Sequence, residues 1–191
     1  MTHESIRIIR DEHAALATML RSLEMMVDRG PGNEPESFFD ILRAMLFYVD
    51  EFPERLHHPK ESHLLFPRVA RMAHDTEEVI ARLEKDHVNG ELAVRELQHL
   101  LLAWELVGDS RRAKFETAAR DFLAFYLEHM RLEETVILPA AIRVLNDADW
   151  EELDAAFATN CDPLTGLYPR DPAYDRLFTR IVQWAPPPIG L

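Results

Sequence analysis

The sequence predicts an all-α chain: four long helices in an up-down-up-down bundle, followed by a C-terminal helical extension. Three observations carry this. Apolar residues recur at helical spacing in four long blocks. Glycine is scarce, with 6 among 191 residues, and sits mostly between helical patterns. No stretch alternates apolar and polar residues as a half-buried strand would.

Block A covers about 3–28 and sets Ile6, Ile9, His13, Leu16, Leu20, Leu23 and Val27 on one side. "RGPGNEPE" ends it. Block B covers about 35–73 and contains Pro53, Pro59 and Pro67. Each proline removes a backbone donor, so a kink or tightened turn is expected there. "AHDTEE" offers Asp75 or Thr76 as a cap for block C, about 76–107, with acids in its first turn. "VGDSRR" offers Asp109 or Ser110 as a cap for block D, about 111–146. Short connections between long helices imply antiparallel neighbours. Residues 1–146 are therefore expected to form the bundle, and 147–191 an extension packed on it. In the extension "DADWEELDAAFA" reads as a short capped helix and "TNCDPLTGLYPRDP" as a loop. "AYDRLFTRIVQW" reads as a last amphipathic helix, with Leu177, Phe178, Ile181 and Val182 able to pack on the bundle before the prolines stop it.

Bulk composition excludes several classes. Twenty-one basic against 34 acidic residues give a net charge of −13, which disfavours nucleic acid as a partner. No apolar run approaches the roughly 18 residues of a membrane span, and the N-terminus lacks the apolar core of a secretory signal. Cys161 is the only cysteine, so an internal disulfide is impossible and a reducing cytoplasm is the expected setting. Nine histidines are a modest excess and the first hint of metal.

The histidines are patterned. In "HHPKESHLLFP", His57 precedes Glu61 by four, which puts both on one helical face. In "HMRLEETVILP", His129 precedes Glu133 by four, and Pro139 follows at the distance that Pro67 follows His57. Upstream, His13 stands before the first pair and His87 before the second at nearly equal separations. The chain reads as two helical hairpins, each with one histidine on its first helix and His-x-x-x-Glu on its second. Counting from the turns at about 1.5 Å per residue puts all six residues within a turn or so of one layer.

Two uncompensated carboxylates in an apolar core would cost several kcal/mol each. Metal ions offset that cost, and two imidazoles per ion with two shared carboxylates suit a dinuclear site. The proposed ligands are His13, His57, Glu61, His87, His129 and Glu133. His58 stands three before Glu61 and could replace His57, but the frame shared with His129 favours His57. Glu91, four after His87, is either an added ligand or, more simply, a solvated acid. Tyr126 and Phe66 fit ordinary core packing beside the site. No acid–base pair stands apart from these ligands, so no catalytic residue is assigned. A ferritin-like di-iron pattern needs Glu-x-x-His on two helices and a glutamate on each of the others. Glu54–His57 and Glu84–His87 fit it, but Arg10 and Tyr126 do not.

Over about residues 1–146 the chain resembles the hemerythrin-like, or HHE cation-binding, family of four-helix bundles. The resemblance rests on His13, the "HHPKE" of His57 and Glu61, His87, and the "HMRLE" of His129 and Glu133. It implies two iron ions in a non-haem, carboxylate-bridged centre, with Glu61 and Glu133 as bridges. It also implies a small diatomic ligand, O2 or NO, or sensing of iron or redox state. Two departures matter. Oxygen-carrying hemerythrins have a fifth histidine four residues after that of the third helix, where this chain has Glu91. Their fourth helix uses His-x-x-x-x-Asp, where this chain offers Glu133 and then Glu134. The four-His, two-Glu set is similar to iron-cluster repair proteins and to the iron-sensing domain of a eukaryotic ubiquitin-ligase subunit. The alternative is thus an oxidoreductase or iron-donating repair protein acting on NO, peroxide or damaged iron centres.

Overall fold

The computed structural model describes residues 3–165, 172–187 and 189, and most of these are helical, with no strand among them. Helix α1 (Glu4–Arg29) buries Ile6, Ile9, Leu16, Leu20, Leu23 and Val27 and ends at Gly30. Gly30 has a φ of 71°, and its N–H bonds back to the Met26 carbonyl; this left-handed ending favours glycine. Helix α2 (Pro35–Val49) opens on a proline, whose missing donor costs nothing at a first turn.

Beyond α2 the chain stays helical but its turns change width. Asp50–His57 is wound as a π-helix, α3 (His58–Lys60) is one α-turn, Glu61–Leu65 is π again, and α4 (Phe66–Met72) completes block B. Helix α5 (Glu77–Val107) is followed by α6 (Arg112–Leu132), which passes through a π segment, Glu133–Ile137, into α7 (Leu138–Val144). The prolines therefore widen the helix; the expected tightened turn is not what forms. The N–H groups of His58, Phe66 and Leu138 reach the carbonyls of Pro53, Glu61 and Glu133, five residues back. Pro67 and Pro139 each lie two residues beyond the end of such a turn. They have no N–H to give, and their rings would crowd a carbonyl four residues back in a regular helix. The sequence repeat thus has a structural repeat: a five-residue wide turn that opens on a glutamate, then a seven-residue α-helix.

Packing follows from the buried faces. Helix α1 lies against α2 and α6, and α5 lies against the same two. Helix α8 (Asp147–Phe157) packs on α1, and α9 (Asp175–Trp184) on α2. Asn146 caps α8, accepting from the N–H groups of Ala148 and Asp149 while the Asp149 carboxylate accepts from the Asn146 N–H. The expected caps of α5 and α6 differ. Thr76 precedes α5, but its hydroxyl donates to Ala73 O at 2.7 Å, and α6 starts after Arg111. Asp109 accepts instead from the Trp104 indole N–H, 3.1 Å away. Phe178 and Ile181 of α9 are fully buried, while Leu177 only edges the core. The loop expected over 159–172 extends beyond the described residues at 166–171.

The core divides in two. One cluster gathers Leu16, Met19, Met45, Leu97, Trp104, Phe115 and Phe122 with α9. The other gathers Ile6, Ile9, Leu65, Phe66, Leu83, Ile137 and Leu138 with α8. Each fully buried large side chain contributes about 1.5–3 kcal/mol. Between the clusters lies a layer of buried histidine and glutamate contributed by α1, α3, α5, α6 and the π segments.

Candidate metal centre

All six residues singled out in the sequence lie in that layer and are buried, Glu61 at 0% exposure and Glu133 at 1%. Helix α1 carries His13 between Ile9 and Leu16, α5 carries His87 after Leu83, and α6 carries His129 after Tyr126. His57 closes the first wide turn, and Glu61 and Glu133 open the other two.

The two carboxylates sit between two pairs of imidazoles. Glu61 Oε1 lies 3.1 Å from His57 Nε2, and its Oε2 lies 3.4 Å from His87 Nε2. Glu133 Oε2 lies 3.1 Å from His13 Nε2, and its Oε1 lies 3.2 Å from His129 Nε2 and 3.8 Å from His87 Nε2. Each carboxylate thus turns one oxygen to the His13/His57 side and the other to the His87/His129 side.

These approaches are close, but they are not hydrogen bonds. Both oxygens of Glu61, both of Glu133, and the Nε2 atoms of His57, His87 and His129 are buried with no hydrogen-bond partner. Buried polar atoms without partners are rare and each needs a reason. Lone pairs from several residues aimed into one dry space are what a cation requires. Two groups of potential donor atoms stand within 4.8 Å of one another: His13, His57, Glu61 and Glu133, and His58, Glu61, His87 and His129. Glu61 belongs to both.

The far side of the rings is held from outside the layer. His57 Nδ1–H donates to Glu12 Oε2 at 2.6 Å, His13 Nδ1–H to Glu134 Oε1 at 3.0 Å, and His58 Nδ1–H to Glu54 Oε2 at 3.1 Å. His87 Nδ1–H donates to the Ser62 hydroxyl at 2.9 Å, which donates its own proton to Glu84 at 2.8 Å. His129 is the exception, with Nδ1 3.8 Å from Asp86 and no hydrogen bond. An imidazole that donates from Nδ1 to a carboxylate keeps its Nε2 lone pair free for a metal and is oriented by the same bond.

The outer acids are themselves held. The Asn160 amide donates to Glu12 at 2.9 Å, and Lys60 donates to Asn160. The Tyr126 hydroxyl donates to Glu54, and Gly90 makes room for it: a Cβ there would overlap that hydroxyl.

Charge follows the same geometry. Burial and the Glu133 charge push the Glu61 carboxyl up, but His57 and His87 outweigh them and hold it down to about 2. Glu133 is held well below the ordinary range, against burial, by His129, His13 and His87. Burial pushes His13 and His87 down, but Glu133 with Glu134 lifts His13 to about 9, and Glu133 with Glu61 lifts His87 to about 9. His57 is raised in the same way by Glu61 and Glu12, against its burial. His58 goes the other way: burial and the nearby His87, His129 and His57 lower it well below the usual value. The layer is therefore built of ionised acids and imidazoles whose Nε2 atoms face them.

A small space adjoins the layer between α1, the Asp50–His57 segment and α6, bordered by His13, His57, His58, Phe52, Met130 and Asp162. The part open to the centre of a water-sized sphere is about 10 Å³, room for roughly one such molecule.

Several neighbours went unread in the sequence. Glu12 and Ser62 stand beside proposed ligands but carry no periodic signal. Glu54 appeared only in the ferritin-like pattern, and the structure sets it behind His58. Asn160 and Asp162 lie in a loop. Glu134 turned out to hold His13, and Tyr126 borders the site through Glu54. Glu91 is exposed and paired with Arg95 at 2.5 Å, outside both donor groups.

No curated protein matches the chain significantly. The family model of the hemerythrin HHE cation-binding domain matches residues 4–141, a stretch that contains all six of these histidines and glutamates. With most of its length matched, the chain belongs to the hemerythrin HHE cation-binding domain family.

Proposed function

We propose that the protein is a non-haem di-iron protein of the cytoplasm that binds or senses a small diatomic ligand, O2 or NO, or reports iron or redox state. In this reading residues 1–146 form an up-down-up-down four-helix bundle around the centre, and 147–191 form an extension packed on it. One observation carries the reading: two donor groups share Glu61, and the two oxygens of Glu61 and of Glu133 face opposite pairs of histidines. That arrangement suits two cations side by side, one held by His13 and His57, the other by His87 and His129, with both carboxylates between them. Imidazole and carboxylate together also accept manganese or zinc; iron is taken from the family.

Such a pair of ions supplies reversible one- or two-electron chemistry toward a small ligand. The protein's own residues set the conditions. Leu16, Phe52 and Met130 supply the apolar part of the adjoining space, which is too small for bulk water. Phe66 lies flat against His87, 5.5 Å between ring centres, and a cleft bordered by Ser62, Glu84 and His87 stays open on that side. Glu12, Glu134 and Ser62 orient their imidazoles and hold the Nδ1 protons away from the centre.

Anaerobic loading with ferrous iron followed by Mössbauer spectroscopy tests the reading, with two coupled ions per chain expected. Less than one ion per chain would reduce the protein to a structural bundle. Stopped-flow mixing of the loaded protein with O2 or NO is expected to change its spectrum, and an unchanged spectrum would end the diatomic reading. The absence of a fifth histidine at position 91 favours a second reading, an oxidoreductase or iron-donating repair protein acting on NO, peroxide or damaged iron centres. That reading requires multiple turnovers with an electron donor, or iron transfer to an acceptor cluster.

A further inference from the structure

His57 and His58 are neighbours in sequence, and in a regular helix their side chains would point about 100° apart. Here both are buried. The wide turn that ends at His57 lets both rings enter the layer from one helix, with 5.6 Å between ring centres and planes at 82°. They serve different sides. His57 stands with His13, Glu61 and Glu133, and His58 with Glu61, His87 and His129.

His58 has the supports that mark the other inward-facing imidazoles. Its Nδ1 is held by Glu54 at 3.1 Å, and Glu54 is held by Tyr126, across the space that Gly90 leaves open. Its ring lies nearly parallel to that of His87, 4.3 Å between centres and 14° between planes. One of its ring nitrogens stands within 4.8 Å of donor atoms of Glu61, His87 and His129.

We propose that His58 is a fifth imidazole ligand, completing a three-histidine cation site with His87 and His129 beside the two-histidine site of His13 and His57. The proposal rests on the two-cation reading above. It makes the pair unequal: the His87/His129 side gains a donor, and the His13/His57 side keeps fewer protein donors, next to the small enclosed space. The position that Glu91 leaves without a histidine on α5 is then supplied from the neighbouring helix.

The test uses the full chain with His58→Ala and His58→Gln; Gln keeps bulk and a donor toward Glu54. His63→Ala, an exposed neighbour, is the control. Ferrous binding is followed by metal analysis and by Mössbauer spectra. Wild type and His63→Ala are expected to hold two ions in two distinguishable environments. Both His58 variants are expected to keep one ion and to weaken the other by about 100-fold or more, beyond the range typical for loss of an outer partner. Added imidazole is expected to restore the second ion in His58→Ala, by way of the cleft that Ser62, Glu84 and His87 border; a packing role would not respond to it. Two tightly held ions with unchanged spectra in either variant overturn the proposal and leave the two-cation reading intact. A wild type that holds fewer than two ions overturns both.

Discussion

His57 at the end of the Asp50–His57 π-helix and Glu12 on α1 meet through a hydrogen bond of 2.6 Å between Nδ1 and Oε2, both nearly free of solvent. The bond fixes one ring orientation and one tautomer, and it ties the metal layer to a residue adjacent to His13. Removing it frees the ring. Glu12→Ala is expected to lower ferrous affinity by about 10–100-fold, with Glu12→Gln smaller in effect. Competition with a chelator of known affinity measures it, and unchanged affinity in Glu12→Ala would show that the bond does not orient a ligand.

Gly90 faces the Tyr126 hydroxyl and Glu54 Oε1, and an added Cβ would stand 3.0 Å from that oxygen. Alanine is the better helix former by about 1 kcal/mol, yet Gly90→Ala is expected to destabilise the protein by about 1–3 kcal/mol through overpacking. Tyr126→Phe removes the obstructing hydroxyl, so the double variant should recover part of the loss. Urea unfolding of the four proteins, all chelator-treated, decides it.

Pro139 follows the wide turn that Glu133 opens. Pro139→Ala restores a backbone donor and allows a regular helix, which would turn Glu133 relative to His129. The expected result divides two quantities that usually move together. The chelated protein is no less stable, while ferrous affinity falls by about tenfold, in the range for a misoriented ligand. Melting curves with and without iron read both.

Asp162 is buried, accepts from the Tyr48 hydroxyl at 2.7 Å and from the Leu164 N–H at 2.8 Å, and has its carboxyl pushed up by burial to about 6. A carboxyl raised in the folded state contributes stability below its ordinary range and loses it as pH rises through 6. At pH 7 the loss is on the order of 2–3 kcal/mol. Asp162→Asn escapes that loss but gives up one accepted hydrogen bond, about 1 kcal/mol. The variant should therefore be more stable than wild type at pH 7 by roughly 1–2 kcal/mol, with the gap closing toward pH 4. A gap independent of pH would show that ionisation of Asp162 is not its source.

Much of this was readable in the sequence. Helical periodicity and short polar breaks marked the long helices, because burying one face of a helix imposes that spacing on Ile6 to Val27 as on any amphipathic helix. The repeated His-x-x-x-Glu brought His57, Glu61, His129 and Glu133 to attention because a four-residue step stays on one face. What was not readable has one main cause. Prolines announce that a regular helix fails, but not whether it narrows or widens. Widening brings His58 into the layer beside His57, which a regular helical wheel forbids. Asn160 and Asp162 had no signal at all, since a loop side chain is placed by the chain around it, not by a period.

Residues that hold Glu12 and line the small cavity lie past the end of the segment shared with the family: Asn160 touches Glu12, and Asp162 borders the cavity. A fragment trimmed to the shared segment would keep every proposed ligand and yet leave one of them without the brace behind its brace. The stretch that is inherited in common and the stretch that is physically self-sufficient end at different places in this chain.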